Sequence, residues 1–170
     1  QSVLAISTGT DFICALLDTE TVQCWGVNSF NQLGYSGNSY HGTSTGSMGE
    51  NLSVMDFGPN KNVKHVQAGS NYACVILQGG TVKCWGMNGE GQLGNEDGGY
   101  IQLVNGGVAK RESLNGDATP IVKLGIGVTA SFLSSGVGHT CIISQVGKVK
   151  CWGRNLYGQC GVSNDNPGLG

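Results

Sequence analysis

Six of the seven cysteines in this 170-residue sequence form three pairs with the same spacing. Nine residues separate the cysteines of each pair, and regularly spaced cysteines form either disulfides or metal sites. A tetrahedral zinc site needs four ligands, whereas each pair supplies two and only His139 lies near a pair. Disulfides are therefore favoured over zinc, and persistent disulfides indicate an extracellular or cell-surface location.

The residues between the cysteines of each pair read as a strand, a short turn and a second strand. If residues 18–20, 78–80 and 145–147 are three-residue hairpin loops, the two cysteines of a pair lie directly opposite each other. Opposite β-carbons are about 4.5 to 5.5 Å apart, so modest local twisting is enough for a bridge. The predicted bridges are Cys14–Cys24, Cys74–Cys84 and Cys141–Cys151.

Cys160 is the seventh cysteine and stands where the other copies of the pattern have Leu33 and Leu93. One interpretation is that Cys160 is a small buried hydrophobic residue that replaces leucine. It also fits an intermolecular disulfide, which an odd cysteine in a secreted protein invites. Both interpretations stay open.

No other residue pattern predicts catalysis, and we expect no enzyme, cofactor or metal. Gly89–Gly94 matches GxGxxG, but this match is the turn of a repeat with no helix after it to bind phosphate. His41, His65 and His139 stand in different contexts, and His139 is expected to be a strand-edge residue rather than a base. Glu96-Asp97 lie in a Gly-rich stretch that is expected to be solvated.

Charge and hydropathy exclude two classes of partner. Charged residues form 12% of the chain and the net charge is -2, which leaves no basic surplus for nucleic acid. The adjacent pair Lys110-Arg111 is expected to be a solvated loop. No stretch approaches the roughly 20 apolar residues of a membrane helix, so membrane insertion is not expected.

Asn51-Leu52-Ser53 is an N-glycosylation sequon beside a loop rich in serine and threonine. Such loops are commonly plain solvated linkers. In a protein secreted by a eukaryote, Asn51 could carry a covalent glycan and the hydroxyls could carry O-linked sugar. These hydroxyls belong to Ser36, Ser39, Thr43, Ser44, Thr45 and Ser47.

The cysteine pairs lie within a longer repeat that occurs three times, at offsets of 60 and 67 residues. We expect one repeat domain, residues 1–170, with copies at about 1–58, 59–125 and 126–170. Each copy has a Cys-Trp-Gly core, and the tryptophans are expected to pack in the core rather than form a ligand cage. The repeat-core residues are Trp25, Trp85, Trp152, Gly26, Gly86 and Gly153.

Each copy holds further strand candidates around its hairpin, so the content is about four strands per repeat. Successive apolar residues in the hairpins, such as Phe12 to Leu17, Val75-Ile76-Leu77 and Ile142-Ile143, indicate sheets packed on both faces. No window shows a helical stripe. The candidate strands before the hairpins are residues 3–6, 63–66 and 130–133, and those after are 52–57 and 120–124.

The pattern Cys-Ala-Leu, Thr-Val-Lys-Cys-Trp-Gly, Asn-x-x-Gly-Gln-Leu-Gly resembles the regulator of chromosome condensation repeat. The resemblance covers nearly the whole chain apart from residues 35–50 and 95–115. It implies a β-propeller of four-stranded blades, commonly seven, and the paired cysteines are similar to those of exported versions. The expected fold is thus all-β, with three four-stranded propeller-type blades, the third lacking its last strand.

Three blades are too few to close a propeller, which typically has four to eight. Either the chain is a fragment, or neighbouring chains complete it as a ring or a filament. The first functional hypothesis is therefore an extracellular structural or interaction protein that associates with copies of itself or a neighbouring protein. The alternatives are a secreted binder or inhibitor that uses its loops and, third, a guanine-nucleotide exchange factor.

Overall fold

A computed structural model describes residues 1–35, 40–55, 57–95, 103–104, 107–108 and 119–162. In these residues the protein is all-β, as predicted, with a single 3-10 turn at Gly49–Asn51. The strands are β1 (Val3–Thr8), β2 (Phe12–Leu17), β3 (Val22–Val27), β4 (Tyr40–His41), β5 (Val54–Met55), β6 (Val63–Ala68), β7 (Tyr72–Leu77), β8 (Val82–Gly86), β9 (Leu103–Val104), β10 (Gly107–Val108), β11 (Ala130–Ser135), β12 (His139–Ser144) and β13 (Val149–Gly153).

Three antiparallel sheets share the same three-stranded plan. The first is built on β1-β2-β3, the second is β6-β7-β8 and the third is β11-β12-β13. Each sheet has a register shift at the start of its first strand, between Val3 and Ala5 in the first copy and at matching positions in the others. The three copies of the sequence repeat therefore share the same sheet plan and the same register shift.

The predicted three-residue hairpin loops are present. In each hairpin the cysteine of the first strand pairs directly with the cysteine of the second. This register follows because a backbone hydrogen bond joins the two residues that flank each loop. A residue with positive φ ends each loop and turns the chain back: Glu20 (60°), Gly80 (83°) and Gly147 (78°). The closing bonds run from the amide of Leu17 to Thr21 O (3.0 Å), from Leu77 to Thr81 O (2.8 Å) and from Ser144 to Lys148 O (2.8 Å).

The strand that follows the hairpin in the first and second copies is shorter than the sequence predicts. Among the described residues of the candidate at 52–57, only Val54–Met55 pairs with β3, and β4 also pairs with β3 to make five strands. Of the candidate at 120–124, only Ile121 forms a bridge, to Lys83. Pro120 has no amide hydrogen with which to extend that ladder. In the part of the third sheet that the structure describes there are three strands.

The sheets pack face to face in chain order. One buried cluster lies between the first and second sheets, and another lies between the second and third. The second sheet is accordingly packed on both faces, and every residue of β7 is buried. The prediction of two-sided packing is wrong for Ile142-Ile143, since Ile142 is 1% exposed and Ile143 is 39% exposed. No following sheet covers Ile143 within the described residues.

Candidate interaction surfaces

The three predicted disulfides are present: Cys14–Cys24, Cys74–Cys84 and Cys141–Cys151. The α-carbons of each pair are 4.1 Å apart, because the hairpin register sets the two residues opposite each other. These six cysteines are therefore not zinc ligands. Nor does the described part of the chain gather three or more His, Cys, Asp or Glu side chains that could hold a metal ion.

Each sheet has two faces with different roles, and we call the face toward the next sheet in the chain its forward face and the other its rear face. Phe12, Leu16 and Val22 lie on the forward face of the first sheet, in the cluster with Val66 and Val75 from the rear face of the second. Cys14–Cys24 and Cys74–Cys84 lie on forward faces in these clusters. Blade contacts therefore bury apolar residues and sulfur alike.

A tryptophan spans each interface between sheets. Trp85 Nε1 donates a hydrogen bond to Gln32 O, and Trp152 Nε1 donates one to Gln92 O, both at 2.9 Å. Both indoles are buried, as expected for core residues. Trp25 differs because no sheet precedes it in the structure: it is half-buried, and its Nε1 has no acceptor among the described residues.

The glycine of each Cys-Trp-Gly core allows close approach across the hairpin. Gly26, Gly86 and Gly153 have φ of 110°, 105° and 98°, a region that favours glycine. A β-carbon at Gly26 would lie 2.7 Å from the α-carbon of Phe12, which is opposite on β2. These glycines allow the close approach of the two hairpin strands.

Further hydrogen bonds recur at the two interfaces. The amide of Val63 donates to Glu20 O, and the amide of Ala130, its counterpart, donates to Gly80 O, both at 2.9 Å. At the second interface the Tyr72 hydroxyl also donates to the backbone carbonyl of His139. The pKa of Tyr72 is raised, chiefly by burial, so the hydroxyl remains protonated near neutral pH.

Sequence reasoning missed the role of the asparagine and glutamine in the Asn-x-x-Gly-Gln pattern. Asn28 Oδ1 accepts a hydrogen bond from the amide of Leu33, and Gln32 Oε1 accepts one from the amide of Phe30. The same bonds recur in the other copies, at Asn88 and Asn155 and at Gln92 and Gln159. These side chains hold the loop that presents the acceptor carbonyl to the next tryptophan. Their recurrence at one place in every copy was the available signal.

The structure does not bring the three histidines together. His41 makes an edge contact with Tyr35, with ring centroids 4.8 Å apart. His65 Nε2 lies 3.2 Å from Leu133 O, and His139 packs beside Gly136. Three separate imidazoles do not form a shared acid–base site.

Asn51 is exposed at the end of the 3-10 turn, and its Nδ2 donates to Gly46 O at 2.6 Å. Thr43, Ser44, Thr45 and Ser47 lie in the same surface loop. Ser36, Ser39, Glu96-Asp97 and Lys110-Arg111 lie outside the described residues.

Cys160 is a free, half-buried thiol. Its amide donates to Asn155 Oδ1 at 2.9 Å, in the same way as its counterpart Leu93 donates to Asn88 Oδ1. Burial raises the pKa of the thiol above its ordinary value, which disfavours the reactive thiolate.

Two sheet faces expose apolar residues in the described structure, although on the rear face of the first sheet Ala15 and Leu17 are buried and Gln23 Nε2 donates to Leu52 O at 3.0 Å. We call the rear face of the first sheet the rear end and the forward face of the third sheet the forward end. At the rear end Ile6 is 66% exposed, whereas its counterparts Val66 and Leu133 are 4% and 0% exposed. At the forward end Val149 is 69% exposed, whereas its counterpart Val82 is fully buried. Exposed apolar faces of this kind mark interaction sites.

No helix in the described residues is long and apolar enough to cross a membrane.

Comparison with known proteins supports the same architecture. Protein pim1 of Schizosaccharomyces pombe is 29% identical over 167 residues, which cover 96% of this chain and 27% of pim1. The crystal structure of Prp20p from Saccharomyces cerevisiae superposes with a TM-score of 0.68 and 24% identity, over 97% of this chain and 34% of Prp20p. Human WBSCR16 gives a TM-score of 0.63 and 19% identity, over 98% of this chain and 37% of its own.

The chain thus spans between about a quarter and somewhat over a third of the length of these relatives. Both structural likenesses identify the propeller-like fold. The Regulator of chromosome condensation (RCC1) repeat matches residues 3–32, 63–92 and 131–159, which together make up just over half of the sequence. On this match the chain belongs to the RCC1 repeat family, and its sheets are propeller-type blades.

Proposed function

We propose that the protein is a non-enzymatic, extracellular structural module that associates with copies of itself through blade-to-blade contacts. One observation supports this most strongly: the rear and forward ends carry the residue positions that form buried interfaces inside the chain. Ile6 and Val149 are 66% and 69% exposed, whereas their counterparts Val66 and Val82 are buried between blades. Covering both ends with further blades would remove this apolar surface from water, which favours association.

The disulfides support the extracellular part of the proposal. Three disulfides in one chain persist in oxidising compartments and are rare where thiols are kept reduced. The exposed sequon at Asn51 suits a secreted protein, and we propose that it carries glycan when a eukaryotic secretory pathway makes the chain. Intact mass spectrometry at the bare chain mass would remove the glycan from the proposal.

Sedimentation velocity over a wide range of concentration, under non-reducing conditions, tests self-association. We expect the weight-average sedimentation coefficient to rise with concentration. Negative-stain electron microscopy of the associated material then distinguishes a closed ring from a filament. A monodisperse monomer at the highest concentration would contradict the proposal.

A second candidate function is a secreted binder that uses its loops. Leu156 and Tyr157 are 63% and 86% exposed at one loop, and the Arg154 guanidinium lies 5.7 Å from the Tyr157 ring centroid. Aromatic and arginine side chains are enriched where proteins bind each other. Specific capture of one partner by a monomeric chain, lost on Tyr157→Ala, would favour this function over self-association.

Guanine-nucleotide exchange is the third candidate. Prp20p, whose fold this chain shares in part, has been described with binding properties to Gsp1p and histones. The disulfides and the net charge of -2 favour an extracellular role over a chromatin-bound one. An exchange assay on a small GTPase without effect would remove this candidate.

A further inference from the structure

We propose that the forward end of one copy binds the rear end of the next, and that Ile13 and Cys160 form the matched pair that sets this contact. The proposal rests on the self-association proposed above and names its surfaces. The partner is a second copy of this chain, because the two ends depart from the repeat at positions that compensate each other.

The interfaces inside the chain define what such a contact looks like. At both of them a tryptophan on a rear face donates to a glutamine carbonyl beside a forward face, at 2.9 Å. The rear end presents Trp25 without an acceptor, and the forward end presents the carbonyl of Gln159 without a donor, within the described residues. The rear end therefore carries the donor, and the forward end the acceptor, of the hydrogen bond that recurs at both internal interfaces.

The residue after the glutamine–leucine pair leaves room for the tryptophan. A β-carbon at Gly34 would lie 3.1 Å from Trp85 Nε1, and one at Gly94 would lie 2.6 Å from Trp152 Nε1. Gly161 has the same place at the forward end, with φ of 71°, and a β-carbon there would have nothing within 4 Å. Among the described residues, the place that a tryptophan fills at both internal interfaces is open at Gly161.

The side chains beside this tryptophan differ in size between the ends and the internal interfaces. Ile13 stands where the second and third copies have Ala73 and Thr140, both of which are fully buried. Thr140 Oγ1 donates to Gln92 O at 3.0 Å, so this rear-face position lies against the peptide that leads into Leu93. In the first interface Ala73 belongs to the same buried cluster as Leu33.

At both internal interfaces the rear-face position holds a small residue and the loop of the preceding blade holds a leucine, whereas the two ends carry Ile13 and Cys160 at these positions. A contact between ends opposes the large Ile13 and the small Cys160. Isoleucine against a forward-face leucine would overpack the position, whereas isoleucine against cysteine keeps the volume similar. This exchange favours another copy of the chain over a blade that carries the usual leucine.

Cys160→Leu tests the pair because it restores the residue of the other copies. We expect it to weaken self-association by about tenfold or more, measured by sedimentation velocity, since overpacking at a fully packed contact has that cost. Cys160→Ala is the matched control: it removes the thiol but stays small, and we expect association within about threefold of the parent. Equal association of Cys160→Leu and the parent would overturn the proposal.

Ile13→Ala combined with Cys160→Leu recreates the arrangement of the first internal interface. We expect this double variant to recover association lost in Cys160→Leu, because residues in direct contact couple in a double-mutant cycle. Additive losses would show that the two positions do not meet and would overturn the proposal. Circular dichroism and the thermal midpoint of each variant, at a concentration where the chain is monomeric, check that the fold is intact.

The variants separate failure of this contact from failure of the proposed function. If the parent chain stays monomeric, both are wrong. If the parent associates but neither substitution changes its affinity, self-association stands and this contact is wrong. If association requires Cys160 and is lost on reduction or in Cys160→Ala, an intermolecular disulfide holds the copies, and the packing pair is wrong.

Discussion

The second and third blades contain the same five residues, Val-Lys-Cys-Trp-Gly, in strands β8 and β13, yet their environments differ. Val82 is fully buried and its counterpart Val149 is 69% exposed. Cys74–Cys84 is buried, whereas Cys141–Cys151 is half-buried. The repeat therefore specifies the sheet, while a neighbouring blade determines which residues become core.

Matched truncations at Ile76 and Ile143 should show the largest contrast. Ile76 is 4% exposed between two blades, so Ile76→Ala is expected to lower the free energy of unfolding by about 2 to 5 kcal/mol. Ile143 is 39% exposed, so Ile143→Ala is expected to cost under about 1 kcal/mol. Urea denaturation at a concentration where the chain is monomeric measures both. Equal losses would show that the forward end is covered within the monomer.

Tyr72→Phe tests the contact between these two blades. The Tyr72 hydroxyl donates to His139 O, and its oxygen lies 3.0 Å from Thr140 Oγ1, which donates to Gln92 O. Removal of the Tyr72 hydroxyl is expected to lower stability by about 1 to 3 kcal/mol, because polar partners at a buried interface lose their bond. His139→Phe is the matched change on the third blade and should cost less, since the His139 side chain is only half-buried. Thermal or urea unfolding of both variants measures the loss of stability. A smaller loss in Tyr72→Phe than in His139→Phe would contradict this ranking.

The order in which the disulfides are reduced should follow their burial. Attack by a thiolate needs access to sulfur, so Cys141–Cys151 should open first in dithiothreitol. Cys14–Cys24 and Cys74–Cys84 are at most 2% exposed and should open only as blades separate. Time-resolved alkylation with peptide mass mapping identifies the order. Simultaneous reduction of all three bridges would indicate that the chain opens as a single unit.

The smallest effect concerns Cys160, the forward-end counterpart of the buried Leu93. Burial raises the pKa of its thiol, so the pH profile of alkylation by iodoacetamide should lie at higher pH than that of a small free thiol. The shift is toward higher pH because alkylation needs the thiolate, whose population begins to rise only as the pH approaches the raised pKa. Urea, which exposes the thiol, should shift the profile back. An unshifted profile in the folded chain would contradict the burial of this residue.

Local features were predictable because they depend on residues close in sequence. The spacing between Cys14 and Cys24 implied a three-residue loop and an opposed pair, and both are present. The strand predicted at 120–124 was too long, because apolar composition alone does not show which backbone groups find a hydrogen-bond partner. The hydrogen bonds of Asn28 and Gln32 were missed, although their recurrence was visible, because a polar loop does not reveal which amide each oxygen accepts from.

Turn length and strand register follow from the local order of residues, so the sequence alone was enough to predict the hairpins, the disulfide pairing and the repeat family. The packing of the sheets was needed to show that Trp85 and Trp152 are buried interface residues while Trp25 is half-buried. The three tryptophans occupy the same place in their copies and differ in what lies opposite. Burial depends on contacts between distant segments, and for Trp25 and Cys160 we propose that a second copy supplies them.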